Sequence, residues 1–104
     1  MTQVREWESL LTNQKKICYI LKKLSYVGGR RVSSDGFTRM MVEEFNFPTN
    51  SIRGHITSIR QQYGFIKGAN GGGLITITDK GIEFIFNNQK KIDDWYNDYQ
   101  KTIK

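Results

Sequence analysis

A single cysteine, a single histidine and a single proline stand among 104 residues. One cysteine, Cys18, cannot close an intrachain disulfide, which fits a reducing cytoplasm. Set in the apolar run 17–24, it reads as a small core residue and not a redox sensor. One histidine and scattered carboxylates offer no metal-ligand spacing, so no metal, cofactor or catalytic residue is assigned and no enzyme is expected. Gly71-Gly72-Gly73 lacks the spacing of a P-loop or a dinucleotide fingerprint, and no helix follows it at once. No apolar run approaches the length of a membrane span, and the opening MTQVREWESLL is too polar for a signal peptide. The expectation is a cytoplasmic, single-domain protein with no membrane partner.

Acidic residues are scarce where basic ones gather. The formal charge is +6. Residues 15–80 hold eleven Lys or Arg against Asp35, Glu43, Glu44 and Asp79, a net +7, while 1–14 carry −1 and 81–104 balance. Solubility accounts for a positive total but not for its placement, whereas a phosphate-facing module accounts for both.

The charge surrounds one stretch, residues 46–81. Phe47-Pro48 disfavours helix at Phe47, so a new helix starts just after it, with Thr49 as its N-cap. Ile52, Ile56, Ile59 and Tyr63 recur at four, three and four residues, one apolar stripe of helical period. Opposite lie Asn50, Gly54, Thr57 and Gln61, flanked by Arg53 and Arg60 on one side and Ser51 on the other. Small, polar and forked-donor side chains of this kind suit a major groove. Gly54 costs the helix about 1 kcal/mol relative to Ala and faces away from the core stripe. It marks either close approach to a partner's backbone or a tolerated surface glycine. Gly64 suits a left-handed C-cap, and strands 65–67 and 74–78 flank the glycine loop 68–73 as a hairpin.

Upstream, Val4, Trp7 and Leu10/Leu11 predict a short first helix. A second follows with a Thr12-Asn13 cap, Ile17, Ile20, Leu21 and Leu24 inside, and Lys15, Lys16, Lys22 and Lys23 solvated, stopped by Gly28-Gly29. Arg30-Arg31-Val32 is an extended link whose arginines either touch phosphate or are simply exposed. Ser33-Ser34-Asp35 caps a third helix with Phe37, Met40, Met41 and Phe45 inside and Arg39 outside. Helix, tight turn and helix is a DNA-binding unit. Glu43 and Glu44 would repel phosphate, so their end should face away from DNA.

The run 51–59, then Tyr63-Gly64-Phe65-Ile66, then 75–81 with its closing Thr78-x-x-Gly81, resembles the recognition helix, strand and wing of bacterial winged helix-turn-helix regulators. The likeness covers about residues 15–81. It implies an α+β winged-helix domain, a three-helix core plus a β-hairpin wing, preceded by a short N-terminal helix (1–14) and followed by a long C-terminal one (82–104). In such proteins the link before the third helix often pairs with the wing as a third strand. The implied DNA-facing set is Thr49, Asn50, Ser51, Arg53, Gly54, Thr57, Arg60 and Gln61, with Lys67 and Asn70 from the hairpin and Arg30 and Arg31 from the link. The tip 68–73 departs from the pattern by having no lysine or arginine.

In the last element Ile85, Gln89, Ile92, Tyr96, Tyr99 and Ile103 form a heptad seam, broadened by Trp95 and weakened by Asn87-Asn88. Uncovered, it exposes more apolar surface than a monomer keeps. Pairing with a second copy, with Trp7 joining in, resolves this; packing on its own domain is the alternative. The expected function is sequence-specific duplex-DNA binding as a homodimer on an inverted-repeat or repeated site, in a small transcriptional regulator. A plasmid or phage centromere- or origin-binding adaptor for partition or replication would carry the same signature. A protein-binding winged helix is the reading from another class, and it predicts a neutral or apolar recognition face.

Overall fold

The computed structural model describes residues 6–26, 31–68 and 74–102. Within them the chain runs through five α-helices and a three-stranded antiparallel sheet, an α+β arrangement. Helix α1 (Thr12–Tyr26) touches all the other helices. Ile17, Cys18, Ile20 and Leu21 on its inner side are fully buried. Gln14, and not Thr12 or Asn13, ties off its start: the side-chain carbonyl accepts Leu11 N–H at 2.9 Å, the reach-back half of a capping box. Lys22, expected on the solvated face, is instead buried and pairs with Asp93 at 2.8 Å. A buried ammonium persists only with such a partner.

Of the expected first helix, the described residues before α1 hold a single 3₁₀ turn, Trp7–Ser9, and Val4 lies outside the described residues. Ser9 N–H and Oγ both donate to the Glu6 carbonyl, and Leu10 is already extended at ψ 145°, so no further turn forms. Trp7 and Leu10 are buried, while Leu11 stays 67% exposed.

Strand β1 (Arg31–Ser33) leads into helix α2 (Ser34–Phe45), which Ser33 caps by accepting Gly36 N–H at 2.9 Å. Phe37, Met41 and Phe45 are buried, and Asn46 ends the helix in the left-handed region at φ 52°. Phe47 anchors the turn in the core, and Pro48 precedes helix α3 (Thr49–Ser58). Thr49 is the first helical residue and provides no side-chain cap. A π turn, Ile59–Tyr63, prolongs α3 and closes through Gly64 N–H on the Ile59 carbonyl, with Gly64 at φ 69°. Strands β2 (Ile66–Gly68) and β3 (Leu74–Ile77) form the hairpin, and β1 adds to its far side in the order β1-β3-β2. Val32, Ile75, Ile66 and Ile77 share the inner face, as the pairings Val32–Ile75 and Ile66–Ile77 require.

The long C-terminal helix expected over 82–104 is two helices, α4 (Asp79–Asn87) and α5 (Gln89–Thr102). Asn88 separates them at φ −119°, its amide donating to the Phe84 carbonyl at 2.8 Å, a side-chain competitor for helical hydrogen bonds. The seam assigned to a second copy closes the core of one copy. Ile85 and Ile92 are buried, and Trp95, Tyr96 and Tyr99 pack on the same core. Tyr96 stacks on Tyr19 at 3.9 Å, Tyr99 meets Phe45 edge-on at 5.4 Å, and Trp95 meets Trp7 at 6.2 Å. Gln89 is half-buried, and Ile103 lies outside the described residues. Covering α1 and α2 from within one chain costs no association entropy, which a second copy would have to overcome.

Glu44 of α2 joins this cover to the core by accepting from Lys23 at 3.0 Å and from the Tyr96 hydroxyl. Burial alone pushes the Glu44 carboxyl up, but the hydrogen bonds from Tyr96 and Lys23 and the charge of Lys23 outweigh it and hold it below the ordinary 4.5. A carboxyl depressed on folding contributes stability that is present above its unfolded value and lost as pH falls through the folded one. The wild type is therefore expected to lose more stability than Glu44→Gln between about pH 6 and pH 3, read from urea midpoints. Parallel losses in the two proteins would remove Glu44 from the acid response.

Candidate nucleic-acid interface

The buried stripe of α3 sets the rest of its surface. Ile52, Ile56, Ile59 and Tyr63 all face the core, and the Tyr63 hydroxyl donates to the buried Gln14 side chain at 3.1 Å. That anchor fixes how the helix is rotated. Thr49, Asn50, Ser51, Arg53, Gly54 and Gln61 are consequently exposed. A Cβ on Gly54 would meet nothing within 4 Å. The half-buried Thr57 turns its hydroxyl back onto the Arg53 carbonyl at 3.0 Å. The Arg53 guanidinium has no hydrogen-bond or ion-pair partner among the described residues.

Arg60 has a different place from the one its spacing implied. Its guanidinium donates to the Gly68 carbonyl at 2.7 Å and ties the end of the helix to the end of β2. Gly68 sits at φ 87° with its Cα so close to Leu74 that a Cβ would lie 2.4 Å from that carbonyl oxygen, so only glycine turns the strand here. Lys67 and Arg31 are exposed on the sheet, apart from the helical face. Arg30 and Asn70 lie outside the described residues.

The helix and the hairpin contain no carboxylate of their own. None occurs between Glu44 and Asp79 in the sequence. Glu44 is taken up by Lys23 and Tyr96. The helix, the π turn and both hairpin strands thus present only neutral and cationic side chains.

Three further residues position the face. Gln14 was legible as the N3 member of a capping box, but its bond to Tyr63 spans 49 positions and needed the fold. His55, half-buried, lies 3.4 Å from the Asn13 amide and edge-on to Phe47 at 5.4 Å, so it packs α3 against α1 and the turn. Lys16, assigned to solvent, holds its ammonium 5.2–5.7 Å from the rings of Tyr99, Phe47 and Phe45, a cation–π seat no local pattern signals. Burial raises the Cys18 thiol to about 12, which leaves it inert as a nucleophile. No helix among the described residues is long and apolar enough to cross a membrane. No family model, curated protein or solved structure matches the chain.

Proposed function

We propose that the chain binds duplex DNA sequence-specifically, with α3 entering the major groove. The observation that carries this reading is the acid-free outer side of α3 and the hairpin, set in the part of the chain that holds the whole basic excess. The order helix, turn, helix and hairpin is compatible with a winged helix, and the groove-facing set is Asn50, Arg53, Gly54, Thr57 and Gln61. Arg60 acts through the hairpin it holds. The homodimer expected from the C-terminal seam loses that surface, because the seam is occupied within one copy. A two-fold or repeated site then reflects how copies line up on DNA. A protein-binding role would call for an apolar outer face on α3, which the exposed Asn50, Arg53 and Gln61 do not provide.

Arg53→Ala is expected to weaken binding to a selected site by about 1–3 kcal/mol, in the range of one good base or phosphate contact. Affinity of the wild type should fall steeply and linearly as log K against log salt. A salt-independent affinity, or an Arg53→Ala protein that binds its selected site as the parent does, would sink the groove model. Mapping the bound sites on the host DNA separates the two biological roles. Single sites at promoters mean regulation of transcription, and a repeated array means a partition or replication adaptor.

A further inference from the structure

The outer face of the sheet carries a feature that the helix does not explain. Arg31 pairs in register with Thr76, and Thr76 pairs with Lys67, so the three side chains form one row across β1, β3 and β2. Directly opposite residues of an antiparallel pair project from the same face. With strands ~4.8 Å apart, the two cations start ~10 Å from each other, on either side of Thr76. The row opens onto a groove of about 420 Å³ that also involves Ile77, Thr78 and Asp79, the one carboxylate lining it. Neither the Arg31 guanidinium nor the Lys67 ammonium has a hydrogen-bond or ion-pair partner among the described residues. Cations on edge strands also discourage strand pairing, but that role is blind to face, and these two share one. Arg60, in the π turn, donates to the carbonyl of Gly68, the residue after Lys67, and so ties β2 to the helical unit.

We propose that this row is a phosphate clamp on the outer sheet face, in which Arg31 and Lys67 grip a backbone phosphodiester from two sides while the Thr76 hydroxyl donates from below. A guanidinium supplies a fork matched to two phosphate oxygens, an ammonium supplies a point charge, and the hydroxyl fixes the seat between them. The clamp rests on the DNA-binding reading and extends it. It adds affinity without reading bases, since it meets only the sugar-phosphate chain.

The test uses the full chain, a random-sequence duplex, and backbone amide resonances. On titration the amides of Arg31, Lys67 and Thr76 should shift and saturate with the duplex. The double variant Arg31→Gln/Lys67→Gln should bind at least about tenfold more weakly, with a log K–log salt slope shallower by about 2, while its ratio of selected-site to random-site affinity is kept. Thr76→Val, which retains a strand-forming side chain, should weaken binding about threefold or more. A double variant with the parental slope overturns the clamp. If the Arg53 and Gly54 amides move while the sheet row stays still, the clamp fails and the DNA-binding proposal stands. If the row moves while the helix stays still, the clamp stands and groove insertion fails. Anionic vesicles that shift the row when duplex does not would overturn the clamp in favour of a membrane surface.

Discussion

Ile92→Glu is expected to leave no folded domain. Ile92 is fully buried where α5 closes over the core. Truncating such a residue to Ala already costs about 2–5 kcal/mol. A carboxylate left there without a partner adds several more, against a net stability for domains of about 5–15 kcal/mol. The neighbouring pins Lys22–Asp93 and Lys91–Glu8, each 2.8 Å, tie the same helix to α1 and to the 3₁₀ turn but cannot neutralise a charge beneath them. Circular dichroism on heating should show no cooperative transition for Ile92→Glu, whereas Ile92→Val should lose only about 0.5–1.5 kcal/mol. The outcome to watch for is a folded Ile92→Glu protein. If it sediments as a monomer where the wild type is a dimer, the seam belongs between copies after all.

Gly81→Ala should destabilise the protein even though alanine is the better helix former. Gly81 lies in the first turn of α4, and a Cβ there would fall 2.3 Å from the Phe65 carbonyl oxygen and 3.1 Å from an Ile77 methyl. Backbone cannot yield as a flexible side-chain tip can, so the strand or the helix must move, at a cost of about 1–3 kcal/mol or more. Around it, Thr78 accepts Gly81 N–H at 3.0 Å, donates its hydroxyl to the Gly64 carbonyl at 2.6 Å, and gives its N–H to the Phe65 carbonyl at 2.9 Å. The Thr78-x-x-Gly81 motif is therefore a helix cap and a close approach in one. Gly54→Ala is the control. Open space surrounds that position, and the substitution should gain up to about 1 kcal/mol from propensity. Urea midpoints that move the same way in both variants would refute the steric account of Gly81.

Local patterns carried much of the fold. The stripe at 52, 56, 59 and 63 lies inward as its period required, because a helix spaced this way has one way to bury its apolar side. The turn at Phe47-Pro48, the Ser33 cap and the left-handed Gly64 were equally legible. Each depends on residues within a few positions or on a pattern of alternation. The exposed set Thr49, Asn50, Ser51, Arg53, Gly54 and Gln61 follows from the same period, since what is not inside a two-sided helix is outside.

What the chain could not declare by itself is which surface covers which. The C-terminal seam has a correct apolar side, but periodicity states that a side needs covering and not by whom. Tyr19, Phe45 and Trp7 provide the cover, and they come from far away in sequence. The burial of Lys22 depends on Asp93, 71 positions later, and the cation–π seat of Lys16 depends on three separate elements. The spacing of Arg60 suits a groove residue, but the hairpin folds back and brings the Gly68 carbonyl to its guanidinium. The row Arg31–Thr76–Lys67 exists only through strand register. Sequence alone determined the two-sided helices, the Ser33 cap and the basic, acid-free stretch, because these are short-range matters of period, φ/ψ preference and composition. Tertiary structure decided whether an apolar side or a charged tip meets solvent, its own chain or another molecule, because that choice is made by contacts whose partners are distant along the chain.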